Sequence, residues 1–397
     1  MYIQNNRIMK DNLITKIYSF ILIICCVFML SQCDKNDFSD SRDPAIDPFF
    51  EFSSVAFLSR ITDNSGDWSL CTIESSGKNM RKIFNKKVEC QKPARSYSGT
   101  KLLFTAAQFN YYNDANNTFY GTSEYELCII NIDGTGLTII DRIDKTEDGR
   151  IGHFAWSPDD NEIVYTRSYE SSWDKSSLIL YNISNNTHTV LQTEGNVCSP
   201  KFSPDGKQII YCTTVETEIF YIHSLDNHQV YKMDINEKNN KLIIKNAASP
   251  QWSPQGDKIM FTSIGKDGSS QISVANADGS DQKQLTSSVD PGWWDTGFPR
   301  GGNTDPQWTP DGKKIVYVSN ENEKPEIFIM NSDGSEKTRL TKAEFSDREP
   351  EVTPDGKYII FTSWQPDMIY RNISVMNIDG SGRREISKEG SYPIACR

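Results

Sequence analysis

The chain has 397 residues, a formal net charge of −11 at pH 7 and a hydrophobic fraction of 37%. The acidic balance disfavours nucleic acid and anionic membrane surfaces as partners, because both repel a negatively charged protein. The length is ample for a large buried core, and by itself it would suggest two or more domains.

The first residues have the features of a targeting segment. Three basic residues precede an apolar run at 17–30. That run is too short to span a bilayer, but its length suits the apolar region of a signal peptide. We therefore predict a signal peptide at 1–32, followed by a polar, flexible tether at 33–50.

The end of this segment, Leu30-Ser31-Gln32-Cys33, resembles a bacterial lipobox. The resemblance implies cleavage before Cys33, acylation of its thiol and attachment to a membrane through the lipid. Gln32 departs from the pattern, which prefers a small residue at that position. A plain signal peptide or an uncleaved anchor is the alternative.

A twelve-residue stretch then recurs along the chain. Its clearest copy reads Pro-Gln-Trp-Thr-Pro-Asp-Gly-Lys-Lys-Ile-Val-Tyr, and the copies begin at residues 93, 154, 200, 250, 306 and 350. Pro-Asp-Gly favours a tight turn, because proline presets φ, aspartate bonds to nearby backbone and glycine accepts positive φ. The apolar run after the turn is continuous rather than alternating, which predicts a strand buried on both faces.

A second motif follows most copies of the first. Asn-x-Asp-Gly-Ser/Thr occurs at 131–135, 276–280, 331–335 and 377–381, each time between apolar runs. Asp-Gly in that setting is a strong hairpin signal. Each unit is therefore predicted to be a four-stranded meander, with strands A, B, C and D. Four-stranded units spaced about 50 residues apart indicate a β-propeller.

The two ends of the repeat region complement each other. Ser54–Ser59 aligns with a B strand but has no A strand before it, whereas Pro393–Cys396 aligns with the start of an A strand. We predict that the C-terminal strand completes the first blade, since closure removes an exposed sheet edge. The count is then seven blades over 51–397, or six if the divergent 51–90 unit is not a blade.

The Trp-Ser-Pro-Asp-Gly and Asn-x-Asp-Gly-Ser motifs resemble the TolB-like, WD40-like (PD40) propeller repeats of bacterial envelope proteins. The resemblance covers residues 51–397. It implies an all-β propeller in the cell envelope, either periplasmic or exposed at the surface. One fold of this kind hosts many activities, so the function has to be inferred from a site.

The candidate ligand-binding residues lie in the connections that do not repeat. In each meander the A–B and C–D turns share one end, and the B–C and D–A connections, which hold nearly all the extra length, share the other. The aromatic residues there are Tyr111, Tyr112, Trp173, Trp293, Trp294 and Trp364. Long aromatic loops on a rigid scaffold predict a site for a protein or a glycan. The alternative is that the two adjacent tryptophans pack over the ring as a plug.

Motifs for catalysis are scarce. The sequence has no Cys/His spacing of a zinc site, no nucleophile elbow, no phosphate loop and no calcium loop. Of the four histidines, His153, His188, His223 and His228, the pair His223 and His228 could ligate a metal, but two histidines in an irregular insert more often ligate nothing. We therefore predict no catalytic residue, metal or cofactor, and a non-enzymatic, lipid-anchored envelope protein. The alternative is a polysaccharide lyase or hydrolase, since oligogalacturonate lyases share this propeller type. It would need a histidine, an arginine and a carboxylate converging on the long-loop end.

Six cysteines remain beyond the signal peptide and Cys33. Cys198 and Cys212 flank the turn at 203–206 almost symmetrically, so they are a candidate disulfide across strands A and B. An envelope location permits such bonds. The alternative is that the cysteines are small buried hydrophobes.

Overall fold

The computed structural model describes most of the repeat region as seven antiparallel sheets of four strands each. The described residues are 53–60, 68–88, 91–113, 119–144, 149–168, 176–191, 193, 195–214, 228–266, 268–287, 302–322, 324–342, 346–364 and 371–396. For 108–113, 119–123 and 214 the description is limited to the backbone.

The first four blades contain the following strands. Blade 1 contains β1 (Ser54–Ser59), β2 (Ser69–Glu74) and β3 (Arg81–Lys82), together with the last strand of the chain. Blade 2 contains β4 (Ala94–Arg95), β5 (Lys101–Asn113), β6 (Phe119–Asn131) and β7 (Thr138–Ile143). Blade 3 contains β8 (Arg150–Trp156), β9 (Glu162–Ser168), β10 (Ser176–Asn182) and β11 (Thr187–Leu191). Blade 4 contains β12 (Asn196–Phe202), β13 (Gln208–Thr214), β14 (His228–Asp234) and β15 (Lys241–Lys245).

The remaining blades repeat the same order. Blade 5 contains β16 (Ala248–Trp252), β17 (Lys258–Ile264), β18 (Ser270–Asn276) and β19 (Lys283–Gln284). Blade 6 contains β20 (Asn303–Trp308), β21 (Lys314–Ser319), β22 (Glu326–Asn331) and β23 (Thr338–Arg339). Blade 7 contains β24 (Ser346–Val352), β25 (Tyr358–Trp364), β26 (Arg371–Asn377) and β27 (Arg384–Ser387).

The C-terminal strand β28 (Ser391–Cys396) pairs with β1, with Ser54 opposite Cys396 and Ala56 opposite Ile394. The order of the first sheet is therefore β28-β1-β2-β3. This confirms the predicted closure by the C-terminus and the count of seven blades, and it rules out the six-bladed alternative.

The A–B turns show why the repeat keeps its residue types. In blade 4 the Ser203 hydroxyl donates to the Asp205 carboxylate at 2.6 Å and accepts from the amide of Gln208. Gly206 closes the turn with φ of +72°. The Asp205 carboxylate also accepts from the Lys207 amide, and these bonds lower its pKa.

The core is divided among the interfaces between blades. Seven apolar clusters occur in the described structure, one at each junction between neighbouring blades, including the junction of blade 7 with blade 1. The B strand of blade 6 shows the pattern, since Ile315, Val316, Tyr317 and Val318 are all buried. Burial on both faces of this strand confirms the interpretation of the continuous apolar runs.

Within the part of the chain that the structure describes, no helix is long and apolar enough to cross a membrane.

Candidate functional site

The end of the ring that carries the B–C and D–A connections is here called the long-loop face. β5 and β6 pair along 13 residues each, as far as Asn113 opposite Phe119, whereas β9 and β10 pair over 7 residues each. At about 3.3 Å per residue, the hairpin reaches roughly 20 Å farther than a normal blade. The backbone of Tyr111 and Tyr112 lies in this extension.

A third predicted residue, Trp364, lies on the same face. Trp364 is the last residue of β25, at the B–C end of blade 7, and 39% of its surface is exposed. Exposure of a large aromatic ring at this end fits a contact residue. The opposite end of the ring, here called the short-turn face, also has one exposed aromatic residue, Tyr97, in the A–B turn of blade 2.

The other predicted ligand-binding residues, Trp173, Trp293 and Trp294, lie outside the described residues. So do the predicted signal peptide, the tether, Cys33 and His223. The tryptophans of the repeat motif belong to the blades rather than to the connections between them. Trp156 is buried and its indole Nε1 donates to the Ala94 carbonyl at 3.1 Å, while Trp252 and Trp308 are partly buried against the cores of their blades.

A central channel runs between the A strands. Residues from all seven A-strand segments line one cavity of about 430 Å³. The lining residues are Gln91, Lys92, Pro93, Ala94, Arg95, His153, Phe154, Ser199, Pro200, Lys201, Ser249, Pro250, Gln251, Gln307, Glu351 and Ile394. No motif in the sequence predicts this site.

An irregularity in the A strands shapes the channel. In five blades the residue before the repeat proline has φ near +50° and sits where the A–B register shifts. These residues are Ser199, Ser249, Asp305, Glu349 and Tyr392. A bulge of this kind bends a strand and re-aims its side chains. The residues on either side of the bulge therefore reach the channel.

One ion pair crosses from blade 7 to the segment before blade 2. The Lys92 amine lies 2.8 Å from a Glu351 carboxylate oxygen. Burial disfavours the charged amine, but the charge and hydrogen bond of Glu351, together with the charges of Asp305 and Glu349, outweigh it and raise the pKa of Lys92. Lys92 therefore stays protonated and is already occupied by a carboxylate.

Two other residues of the channel, Lys201 and His153, have a lowered rather than a raised pKa. Lys201 and His153 are exposed to the lumen but enclosed by the surrounding strands. Burial and the nearby charge of Lys92 lower the pKa of Lys201. Burial, together with the charge of Lys201, lowers the pKa of His153 to about 4. At neutral pH the imidazole is therefore uncharged.

The histidines do not come together into one site among the described residues. His153 lies on β8 and His188 on β11, the innermost and outermost strands of blade 3, while His228 begins β14. The His188 Nε2 donates to the Ile140 carbonyl at 2.9 Å, and its ring packs 4.7 Å from that of Tyr181. Within the described ranges, no group of three or more His, Cys, Asp or Glu residues has the arrangement of a metal site.

Cys198 and Cys212 are partners in the register of β12 and β13, with their Sγ atoms 2.6 Å apart and unbonded. Their hydrogen bond raises the pKa of Cys198 and lowers that of Cys212. The disulfide therefore stays a prediction. The two sulfur atoms it would join lie next to each other in the structure. Cys71, Cys128 and Cys396 are buried free thiols, as the alternative interpretation expects.

Comparisons with known proteins agree with the fold. The model of the TolB β-propeller domain family (PD40) matches residues 99–297 and 296–393. Two Tol-Pal system proteins TolB are similar over a short region. The protein of Thioalkalivibrio sulfidiphilus is 29% identical over 86 residues, and that of Hahella chejuensis is 31% identical over 87 residues. Each match covers 21% of this chain but only 17% and 18% of those relatives.

Among solved structures, an oligogalacturonate lyase in complex with manganese aligns with a TM-score of 0.56 and 14% identity, over 85% of each chain. Identity this low shows a shared fold and nothing more. The family match, in contrast, extends over most of the repeat region. On that match, the chain belongs to the TolB β-propeller domain family.

Proposed function

We propose that this protein is a non-enzymatic, lipid-anchored propeller of the bacterial cell envelope that binds a protein or a glycan through its long-loop face. The observation that carries the proposal is the extended hairpin of β5 and β6, which projects from the same end of the ring as the exposed ring of Trp364. A rigid scaffold that presents aromatic side chains at one end suits recognition of a sugar face or of a peptide side chain.

The envelope location is supported by the apolar segment at 17–30 and by the names of the TolB relatives. Attachment through Cys33 rests on the lipobox-like sequence. Metabolic labelling with a fatty-acid probe tests it: the wild type should be labelled and Cys33→Ala should not. Equal labelling of the two proteins would exclude Cys33 as the sole acylation site, and no labelling of either would end the lipoprotein proposal.

Binding through the long-loop face can be tested with matched aromatic substitutions at the two ends of the ring. Trp364→Ala and the double variant Trp293→Ala/Trp294→Ala remove predicted contact residues. Tyr97→Ala removes an aromatic side chain that is 54% exposed on the short-turn face. Each protein is immobilised and challenged with envelope extract and with a glycan array, and its melting temperature is measured in parallel.

We expect the tryptophan variants to lose retention of a protein or glycan that wild type and Tyr97→Ala both keep. Aromatic anchors at an interface typically contribute about 2 kcal/mol or more each. Their melting temperatures should stay close to that of the wild type. A lower melting temperature with unchanged retention would instead support the plug alternative and contradict binding through this face.

The enzyme alternative is tested separately. The wild type is incubated with a panel of acidic and neutral polysaccharides, and the release of unsaturated or reducing ends is measured. The proposed binding role predicts no release above the level of a heat-denatured control. Turnover that Trp364→Ala abolishes would replace the binding role with catalysis at the same face.

A further inference from the structure

The central channel is large enough for an organic ligand. Its cavity of about 430 Å³ falls within the range of roughly 300–1,000 Å³ that is usual for small-molecule sites. All seven blades contribute to its wall, so its shape is fixed by the closed ring rather than by a loop.

The charge of the channel is opposite to that of the whole protein. Lys92, Arg95 and Lys201 line the cavity, together with a single carboxylate, that of Glu351. The lining therefore has two more positive than negative side chains, although the chain has a formal net charge of −11. His153 adds no charge at neutral pH, because its pKa is lowered to about 4 by burial.

Two of the three cations, Arg95 and Lys201, make no hydrogen bond and no close ion pair among the residues that the structure describes, although the charge of Glu351 acts on Lys201. Lys92 is paired with Glu351, whereas Lys201 has neither a hydrogen bond nor an ion pair. The Nε of Arg95 is buried and has no hydrogen-bond partner. A buried N–H group of this kind is costly, because it has lost water without gaining an acceptor, whereas the amine of Lys201 is exposed to the lumen. The surrounding strands and the charge of Lys92 lower the pKa of Lys201, and the charge of Glu351 opposes this shift.

Neither cation belongs to the shared packing of the repeat. Arg95 stands where three other blades have a tryptophan, at 156, 252 and 308. Lys201 stands where blades 5 and 6 have Gln251 and Gln307. The repeat folds without positive charge at these positions, so their presence calls for another reason.

We propose that the central channel binds a small organic dianion, one anionic group held by Arg95 on blade 2 and the other by Lys201 on blade 4. The planar guanidinium offers two parallel N–H donors to a carboxylate or a phosphate, and the lysine amine acts as a compact charge. The wall of the same cavity also includes the polar residues Ser249 and Gln307 and the aromatic residue Phe154. Such a wall suits the carbon skeleton of an organic acid better than a bare inorganic ion.

This site is separate from the proposed binding at the long-loop face, and neither proposal depends on the other. Titration calorimetry with the full propeller tests it, with glutarate as a dicarboxylate, glucose 6-phosphate as a phosphate ester and glycerol as a neutral control. We expect one of the two anions to bind with a Kd below about 1 mM and glycerol not to bind. Which anion binds distinguishes carboxylate from phosphate recognition.

Substitutions then locate the site. Lys201→Gln and Arg95→Gln should each weaken binding at least tenfold, while Lys201→Arg, which keeps the charge, should retain most of it. Lys313→Gln is the matched control, because that lysine is 81% exposed on the short-turn face. Absence of binding by both anions, or equal weakening by Lys313→Gln, would overturn the proposal.

A second readout distinguishes ligand binding from a structural role. Without added anion, Lys201→Gln and Arg95→Gln should melt at or above the temperature of the wild type, since neither substitution breaks a hydrogen bond or an ion pair among the described residues. Addition of the bound anion should raise the melting temperature of the wild type but not that of these variants. A lowered melting temperature of both variants in every buffer would show that the cations support the fold instead.

Discussion

At the scale of single residues, the C–D turn requires glycine for two reasons, a positive φ and a close approach to the neighbouring blade. Gly279 has φ of +86°, a conformation that costs a side chain about 1–2 kcal/mol. A Cβ on this residue would also lie 2.2 Å from the backbone oxygen of Ile243, on the outermost strand of blade 4. The C–D turn of blade 5 is thus in direct contact with the blade before it. The corresponding glycines of four other blades approach the preceding blade less closely, since a Cβ there would lie 3.0–3.2 Å from its nearest neighbour, at Gly77, Gly134, Gly334 and Gly380.

We therefore expect Gly279→Ala to destabilise the propeller by about 3 kcal/mol or more, combining backbone strain with displacement of blade 4. Gly268→Ala is the matched control, because Gly268 has a similar φ of +82° but no neighbouring atom within 4 Å. The control should cost about 1 kcal/mol. Urea unfolding of the two variants measures the difference. Equal losses would show that the close approach between the blades contributes nothing.

The channel residues show what the sequence could and could not predict at this scale. Sequence reasoning expects an extended residue before a proline. Ser249 and Asp305 instead have φ near +50°, since the bulge is imposed by the packing of the A strands around the channel. Lys201 and Arg95 could have been found as departures from the repeat. Whether they have hydrogen-bond or ion-pair partners, however, depends on distances between different blades, which the sequence does not contain.

At the scale of strands and turns, the repeat was predictable because its local signals agree with each other. Proline, aspartate and glycine mark the A–B turn, and the buried pattern of β21 follows from its continuous apolar run. The extension of β5 and β6 beyond the length of a normal blade strand was not predicted, since residues 108–120 were interpreted as a loop insert rather than as paired strands. A non-repeating insert offers no second copy with which to compare it.

Strands β12 and β13 provide a prediction at this scale. We expect Cys198 and Cys212 to form a disulfide under oxidising conditions, because their sulfurs are already adjacent and hydrogen bonding lowers the pKa of the Cys212 thiol. The thiolate is the form that reacts. Closing a loop of roughly 15 residues would stabilise the fold by about 3 kcal/mol.

Peptide mass spectrometry without reduction, after air oxidation, measures the bond directly. Melting with and without a reductant measures its effect, which Cys198→Ser should abolish. Cys71→Ser is a control, since Cys71 is a buried thiol whose pKa is raised by burial to about 11. Recovery of both peptides with free thiols after prolonged oxidation would contradict the prediction.

At the scale of the whole molecule, stability depends on closing a ring of seven similar interfaces. The cluster between blades 7 and 1 contains Val55 and Phe57 of β1 together with Ile360 and Ile373 of blade 7. Ala395 of β28 lies in the same cluster, and Ile394 contributes to the next one, between blades 1 and 2. The C-terminal strand therefore supports two of the seven interfaces at once.

We expect deletion of residues 391–397 to lower the melting temperature by ten degrees or more, or to prevent folding. The deletion removes the buried side chains of β28 and leaves β1 as an exposed edge strand. A synthetic peptide of residues 389–397 serves as the control for truncation as such. If the strand acts by closing the ring, the peptide added in trans should restore much of the lost stability, as measured by circular dichroism during heating. An unchanged melting temperature of the truncated protein would contradict closure by this strand.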